Sequence, residues 1–205
     1  MSTRRVVPPG SAVPAKGALR FLYQRALEDN IDWKASAFWQ KFFQEEFPSP
    51  AYSVLYQQSP DESKLMVDIM VLNHGQNNGA VAVLVVQCTQ ESDADIKRLE
   101  RATLDAAQRY LDHSGQRLVY AMSTSHVRAR AWLVQHSPLM KLEPLFGADA
   151  GCRSEYVDAG GSDGYLMSKC CSFLRGETSL EEIVGGHVEN HVEIDEGVYL
   201  PWGIS

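Results

Sequence analysis

A nearly unbroken apolar segment, residues 80–88, constrains the fold of this chain more than any other feature. Its sequence is Ala-Val-Ala-Val-Leu-Val-Val-Gln-Cys, and its residues favour β-structure. The segment is far too short to cross a membrane, so it predicts a strand that is buried on both faces. Such a strand needs covering layers, which a chain of 205 residues can supply within one domain.

Helices and strands are both predicted on either side of this segment. Apolar residues recur at helical spacing over 16–28, 32–47, 93–114 and 164–175. Shorter β-type segments are predicted at 52–56, 64–72, 117–122 and 126–134. This order predicts an α/β fold with a central mixed sheet, flanking helices and two helices at the N-terminal end.

The two ends of the chain differ from this pattern. Prolines and a glycine without periodicity predict a flexible N-terminal tail over 1–15, followed by one domain over 16–205. Near the C-terminus, His187, Glu189 and His191 would share one face of a strand. They suit either the polar face of an edge strand or a metal site with two nitrogens and a carboxylate.

Charge and cysteine content narrow the possible partners and location. The chain has 19 Lys and Arg against 26 Asp and Glu, a net charge of -7, which makes nucleic acid an unlikely partner. Four cysteines show no C-x-x-C spacing, and no signal peptide or membrane span is visible. We therefore expect free thiols, a cytoplasmic or nuclear location, and no membrane partner.

The second predicted helix, over 32–47, is unusually rich in aromatic residues. It carries six large rings: Trp33, Phe38, Trp39, Phe42, Phe43 and Phe47. Packing against the sheet explains one apolar stripe of such a helix. Rings outside that stripe would form an interface, so we also expect a homodimer through this helix.

Asp68 is the most informative single residue of the sequence. It interrupts an otherwise apolar strand, where an ionised carboxylate is costly unless it is paired or bound to a metal. It lies at the solvated end of its strand, in an ion pair, or in a functional site. The next strand ends in Gln87-Cys88-Thr89, in which Gln87 and Thr89 share one face.

The order helix, strand with Asp68, turn, strand ending at Thr89, helix, strand resembles the core of the PD-(D/E)xK, or restriction-endonuclease-like, superfamily. The stretch 84–132 also resembles poorly characterised fungal proteins with that core, through 85–89 and 120–128. The resemblance implies that Asp68, an acid at position 87 and a lysine at position 89 would hold Mg²⁺ and assist an attacking water.

Two of these three positions depart from the family pattern. Gln87 is a weak, neutral ligand for Mg²⁺, and Thr89 supplies no positive charge. Asp68 therefore remains the one metal ligand of the motif. Lys97 and Glu100 on the following helix could replace the missing charges, and Mg²⁺ is expected as a cofactor only in that case. The resemblance thus favours a nuclease-like domain without nuclease chemistry, acting in binding or assembly.

A second cluster, His126, Arg128 and Arg130, lies on one face of the strand predicted at 126–134. An arginine fork could hold a phosphate or a carboxylate, or the cluster could be an exposed sheet face. With Asp68 and Gln87, His126 and Arg128 could also anchor a small molecule. An enzyme of another class, a small-molecule partner and a protein partner therefore stay open beside the degenerate domain and the rearranged nuclease.

Overall fold

The apolar segment 80–88 forms the central strand of a mixed sheet. The computed structural model describes residues 10–28, 32–75, 80–89, 96–148 and 150–184. In these residues the strands are β1 (Tyr52–Gln58), β2 (Val67–His74), β3 (Ala80–Thr89), β4 (Leu118–Ser125), β5 (Arg128–Gln135), β6 (Glu143–Pro144) and β7 (Val157–Asp158). The predicted α/β class with a mixed sheet is confirmed.

The sheet has the order β1-β2-β3-β4-β5, and β6 and β7 both pair with β5. Neighbouring strands are antiparallel except β3 and β4, which are parallel and aligned from Leu84–Tyr120 to Thr89–Ser125. A parallel pair requires a crossover, and the helix between these two strands supplies it. Both strands therefore end at the same edge of the sheet.

Helices cover the two faces of the sheet. They are α1 (Ala18–Glu28), α2 (Asp32–Glu46), α3 (Ile96–Ser114), α4 (Tyr165–Leu174) and α5 (Leu180–Val184). On one face, α3 buries Ala106, Ala107 and Leu111 against Val85 and other residues of β3, β4 and β5. On the opposite face, α1, α2 and α4 build the larger core with the alternate strand residues. Burial on both faces explains the continuous apolar pattern of β3.

The aromatic helix α2 lies inside the larger core. Phe38, Trp39, Phe42 and Phe43 are all 0% exposed, and Phe47 is 2% exposed. The helix packs between α1, α4 and the strands β1, β2 and β3, so its rings meet protein on several sides rather than along one stripe. The expected homodimer required exposed rings on this helix, and these five rings are buried.

The N-terminal segment is packed earlier than the composition predicts. Ala12 and Val13 are 0% and 3% exposed, and the Ala12 N–H donates to the Ala159 carbonyl at 2.9 Å. The part of the predicted tail that the structure describes, from Gly10, is thus joined to the core, which corrects the tail boundary at residue 15. The metal or edge-strand interpretation of 187–191 lies outside the described residues.

The hairpin of β4 and β5 differs from the prediction at His126. β4 continues to Ser125, and His126 occupies the turn to β5 with φ of +61°. His126 is therefore not on one strand face with Arg128 and Arg130.

In the described ranges, none of the helices combines the length and the hydropathy that a transmembrane helix requires.

Candidate functional site

Asp68 and Gln87 lie on paired strands at the carboxyl end of β3. The ladder between β2 and β3 reaches Ile69–Val86, and Asp68 and Gln87 are the next residues along the two strands. Val86 belongs to the core beneath α1 and α2, so Gln87 points to the α3 side. Thr89 follows on the same side, at the end of β3. The three motif positions thus lie at one edge of the sheet.

The side chain of Asp68 is used within the sheet. Its Oδ2 accepts the backbone N–H of Cys88 at 2.8 Å, one step past the last ladder pair. Gln87 donates its side-chain amide to the Met66 carbonyl at 3.5 Å. The Thr89 carbonyl accepts the His126 N–H at 2.9 Å and so links β3 to the hairpin turn. The Asp68 and Gln87 contacts therefore link β3 to β2 and to Met66 beyond the last paired residues of the ladder.

The donor set at this edge does not suit Mg²⁺. Throughout the described part of the chain, no three side chains of His, Cys, Asp or Glu form a group that could hold a metal ion. Asp68 offers one carboxylate, which already accepts a backbone N–H, and Gln87 offers a neutral amide. Burial and the charge of Asp68 raise the pKa of Cys88 to about 12, so its thiol is not an activated nucleophile.

A loop preceding β2 flanks the same edge. One nitrogen of Arg109, Nη1, donates to Asp61 Oδ1 at 3.1 Å, to Ser63 Oγ at 3.3 Å and to the Leu65 carbonyl at 3.1 Å. Arg109 belongs to α3, so this single side chain joins the loop to the helix. The Met66 carbonyl, which follows this loop in the chain, accepts the side-chain amide of Gln87. The Gln87 side chain is therefore linked to the loop that Arg109 joins to α3.

Glu100, the candidate replacement acid, is on the buried side of α3 and faces Arg130 of β5. It is 4% exposed, accepts the Tyr156 hydroxyl at 3.2 Å, and accepts the backbone N–H of Gly151. The positive charge near it is Arg130. Lys97 is exposed one turn earlier, and its stem runs alongside Gly151. The hydrogen bonds of Glu100 thus lie within a buried cluster with Tyr156 and Arg130.

The buried polar cluster comprises Glu100, Thr103, Ser123, Arg130, Trp132, Glu155 and Tyr156. Arg130 is 0% exposed, and its guanidinium lies 4.4 Å from the centroid of the Trp132 ring. Trp132 Nε1 donates to Ser123 Oγ at 2.9 Å, Ser123 contacts Thr103 Oγ1 at 3.0 Å, and Thr103 donates to the Leu99 carbonyl. This chain of hydrogen bonds ties β5 and β4 to α3.

The predicted clamp of His126, Arg128 and Arg130 is divided by the fold. Arg128 is exposed at the start of β5, opposite Asp158 of β7, whereas Arg130 is completely buried. The His126 carbonyl accepts the indole N–H of Trp39 at 2.7 Å on the α2 side. The alternative of an exposed sheet face is wrong for Arg130, because α3 and the segment 150–156 cover it. Its electrostatic partners are Glu100 and Glu155.

Burial raises the pKa of Glu100 above its ordinary value, against the opposing effects of Gly151 N–H, Tyr156 and Arg130. The folded state therefore binds this proton more tightly than the unfolded state. The stabilising contribution is complete below the unfolded pKa and is lost as pH rises through the folded pKa. We expect the free energy of unfolding of the wild type to increase relative to that of Glu100→Gln as pH falls from about 7 to about 4.5. Urea denaturation of both proteins across that range measures it, and parallel curves would contradict it.

Sequence reasoning missed several members of the buried cluster. Tyr156 and Glu155 follow a glycine-containing stretch without periodicity, so no pattern marks them as partners of α3. Ser123 gives no sequence signal for its contacts with Thr103 and Trp132, which make it structural. Comparison of the chain with models of protein families, with curated proteins and with solved structures found no match.

Proposed function

We propose that this chain is a catalytically degenerate nuclease-like domain that acts in binding or assembly. Its element order supports the nuclease-like half of this proposal. Three antiparallel strands, β1 to β3, are followed by the crossover helix α3 and the parallel strand β4. This is the order in which the PD-(D/E)xK core carries its acid and its acid-x-lysine triplet. The matching positions here are Asp68 and 87–89.

One observation supports the proposal that the domain is catalytically inactive. The carboxylate of Asp68 accepts the Cys88 N–H at 2.8 Å, where the β2–β3 ladder ends. A carboxylate oriented by a backbone donor, next to an amide and a hydroxyl, lacks the negative charge that a hard divalent cation requires. Phosphodiester cleavage also needs positive charge at the attacking and leaving oxygens. Gln87 and Thr89 supply none.

The replacement of the lost charges by Lys97 and Glu100 has little structural support. Glu100 is engaged by Tyr156 and Gly151 and faces Arg130, while Asp68 is engaged by Cys88. The small-molecule alternative would use Asp68, Gln87, His126 and Arg128 as anchors. Gln87 and the His126 backbone already have partners in the protein, which weighs against it. A homodimer and a protein partner stay predictions.

We expect no cleavage of DNA or RNA above background with Mg²⁺ or Mn²⁺, assayed beside Asp68→Ala. We also expect Asp68→Ala to lower the free energy of unfolding by about 1–3 kcal/mol, because the half-buried Cys88 N–H loses its acceptor. Asp68→Asn keeps an acceptor and should cost less. Urea denaturation measures both variants.

The two readouts separate the competing roles of Asp68. A metal ligand would be revealed by robust metal-dependent cutting that Asp68→Ala and Asp68→Asn both abolish, and that result would overturn the degenerate assignment. Cutting that survives both substitutions would point to a contaminating nuclease. A loss of stability that Asp68→Asn largely restores, without cutting in any variant, is the result expected for a structural carboxylate.

A further inference from the structure

Arg130 has the position of a ligand-binding residue although it is covered. It lies on β5 opposite Ser123 of β4, near the edge at which the parallel strands β3 and β4 end. In α/β sheets, ligands bind beyond the carboxyl ends of such strands. The Trp132 ring, 4.4 Å from its guanidinium, holds the arginine fork in one orientation. A planar fork of this kind is suited to paired contacts with a phosphate or carboxylate.

Two carboxylates face this one guanidinium, and they are held differently. Glu100 is 4% exposed and bound by Tyr156 and the Gly151 N–H. Glu155 is half-buried, and its Oε2 accepts the Ala148 N–H at 3.0 Å. One carboxylate is sufficient to neutralise Arg130. The second, Glu155, is the more accessible and the more readily displaced.

The cover over Arg130 is thin at Gly147. This glycine is exposed and has φ of +79°. A Cβ placed there would collide with Glu155 Oε2 and would lie 3.5 Å from Arg130 Nη2. Gly147 therefore leaves room for the carboxylate directly above the guanidinium, and a side chain at this position would remove that room.

We propose that Arg130 anchors a site for a phosphate-type oxyanion, and that the Glu155 carboxylate occupies the anion's position in this conformation. The anion would replace Glu155 and accept the Ala148 N–H that Glu155 now accepts. Lys97, whose Cε runs alongside Gly151, adds a second positive charge at the same end of α3. This inference does not depend on the nuclease-like assignment.

The test removes the internal carboxylate and offers the protein inorganic phosphate. Glu155→Ala and Glu155→Ser are compared with wild type and with Glu181→Ala, an exposed glutamate on α5. The melting temperature is followed against phosphate concentration, with chloride at equal ionic strength as the reference. We expect both Glu155 variants to bind phosphate at least about tenfold more tightly than wild type, because the Glu155 carboxylate no longer occupies the anion's position beside Arg130.

A triple variant locates the binding at Arg130. Glu155→Ala combined with Glu100→Gln and Arg130→Met removes the three charges together, so no charge of the cluster is left buried alone. We expect this variant to lose the response to phosphate. The proposal is overturned if the Glu155 variants respond no more than Glu181→Ala, or if the response persists in the triple variant. It is equally overturned if neither Glu155 variant folds, since Glu155 would then be a structural residue.

Discussion

Arg130→Ala should lower the free energy of unfolding by about 3–5 kcal/mol at neutral pH, because it leaves the Glu100 carboxylate buried without its cation. Glu100 is 4% exposed and Arg130 is 0% exposed, so little water reaches either charge in the wild-type protein. The substitution also removes the group that packs on the Trp132 ring. Urea denaturation followed by circular dichroism measures the loss.

Arg128→Ala is the matched control, since Arg128 is exposed two residues earlier on the same strand. Its cost should stay within about 0.5 kcal/mol. Combining Arg130→Met with Glu100→Gln removes both buried charges and should restore much of the stability that Arg130→Ala loses. Equal costs for Arg130→Ala and Arg128→Ala would show that the buried cluster contributes nothing beyond a surface arginine.

Trp39→Ala should be about as damaging, at roughly 3–5 kcal/mol, because it empties the centre of the larger core. The Trp39 ring is 0% exposed and lies 4.9 Å from Phe38, 5.5 Å from Phe42 and 6.0 Å from Phe43, measured between ring centroids. Its indole N–H donates to the His126 carbonyl at 2.7 Å. The loss should be visible both in urea denaturation and in the near-ultraviolet circular dichroism of the aromatic cluster.

Two comparisons separate packing from exposure. Trp39→Phe keeps a ring but leaves the His126 carbonyl without its donor, so we expect an intermediate cost of about 1–3 kcal/mol. Phe21→Ala on α1 changes a ring that is 61% exposed and should cost no more than about 0.5 kcal/mol. If Trp39→Ala and Phe21→Ala proved equally mild, the rings of α2 would not be a packed core, and an interface would again explain them.

The local elements were largely predictable because each has a local cause. Segment 80–88 is apolar at both strand parities, which only a strand covered on both sides requires, and β3 spans it. The stripe on α3 has helical spacing, and Gly115, with φ of +68°, ends that helix. The side of the sheet on which Gln87 and Thr89 lie follows from the same alternation.

The roles of the polar residues were not predictable in the same way. Arg128 and Arg130 have equivalent positions in the strand pattern, yet one is exposed and the other completely buried. The difference comes from α3 and the segment 150–156, which cover the sheet at Arg130. Glu100 and Tyr156, which meet there, are 56 residues apart in the chain.

The sequence by itself determined which segments are helix or strand and which strand lies at the centre, because backbone periodicity and apolar spacing are local properties of the chain. Tertiary structure decided that five aromatic rings of the segment 38–47 are buried, that the Asp68 carboxylate accepts the Cys88 N–H, and that Arg130 meets Glu100 and Glu155. The physical reason is desolvation. Whether a ring or a charge is stable at its position depends on which distant segments exclude water from it, and local periodicity carries no information about those segments.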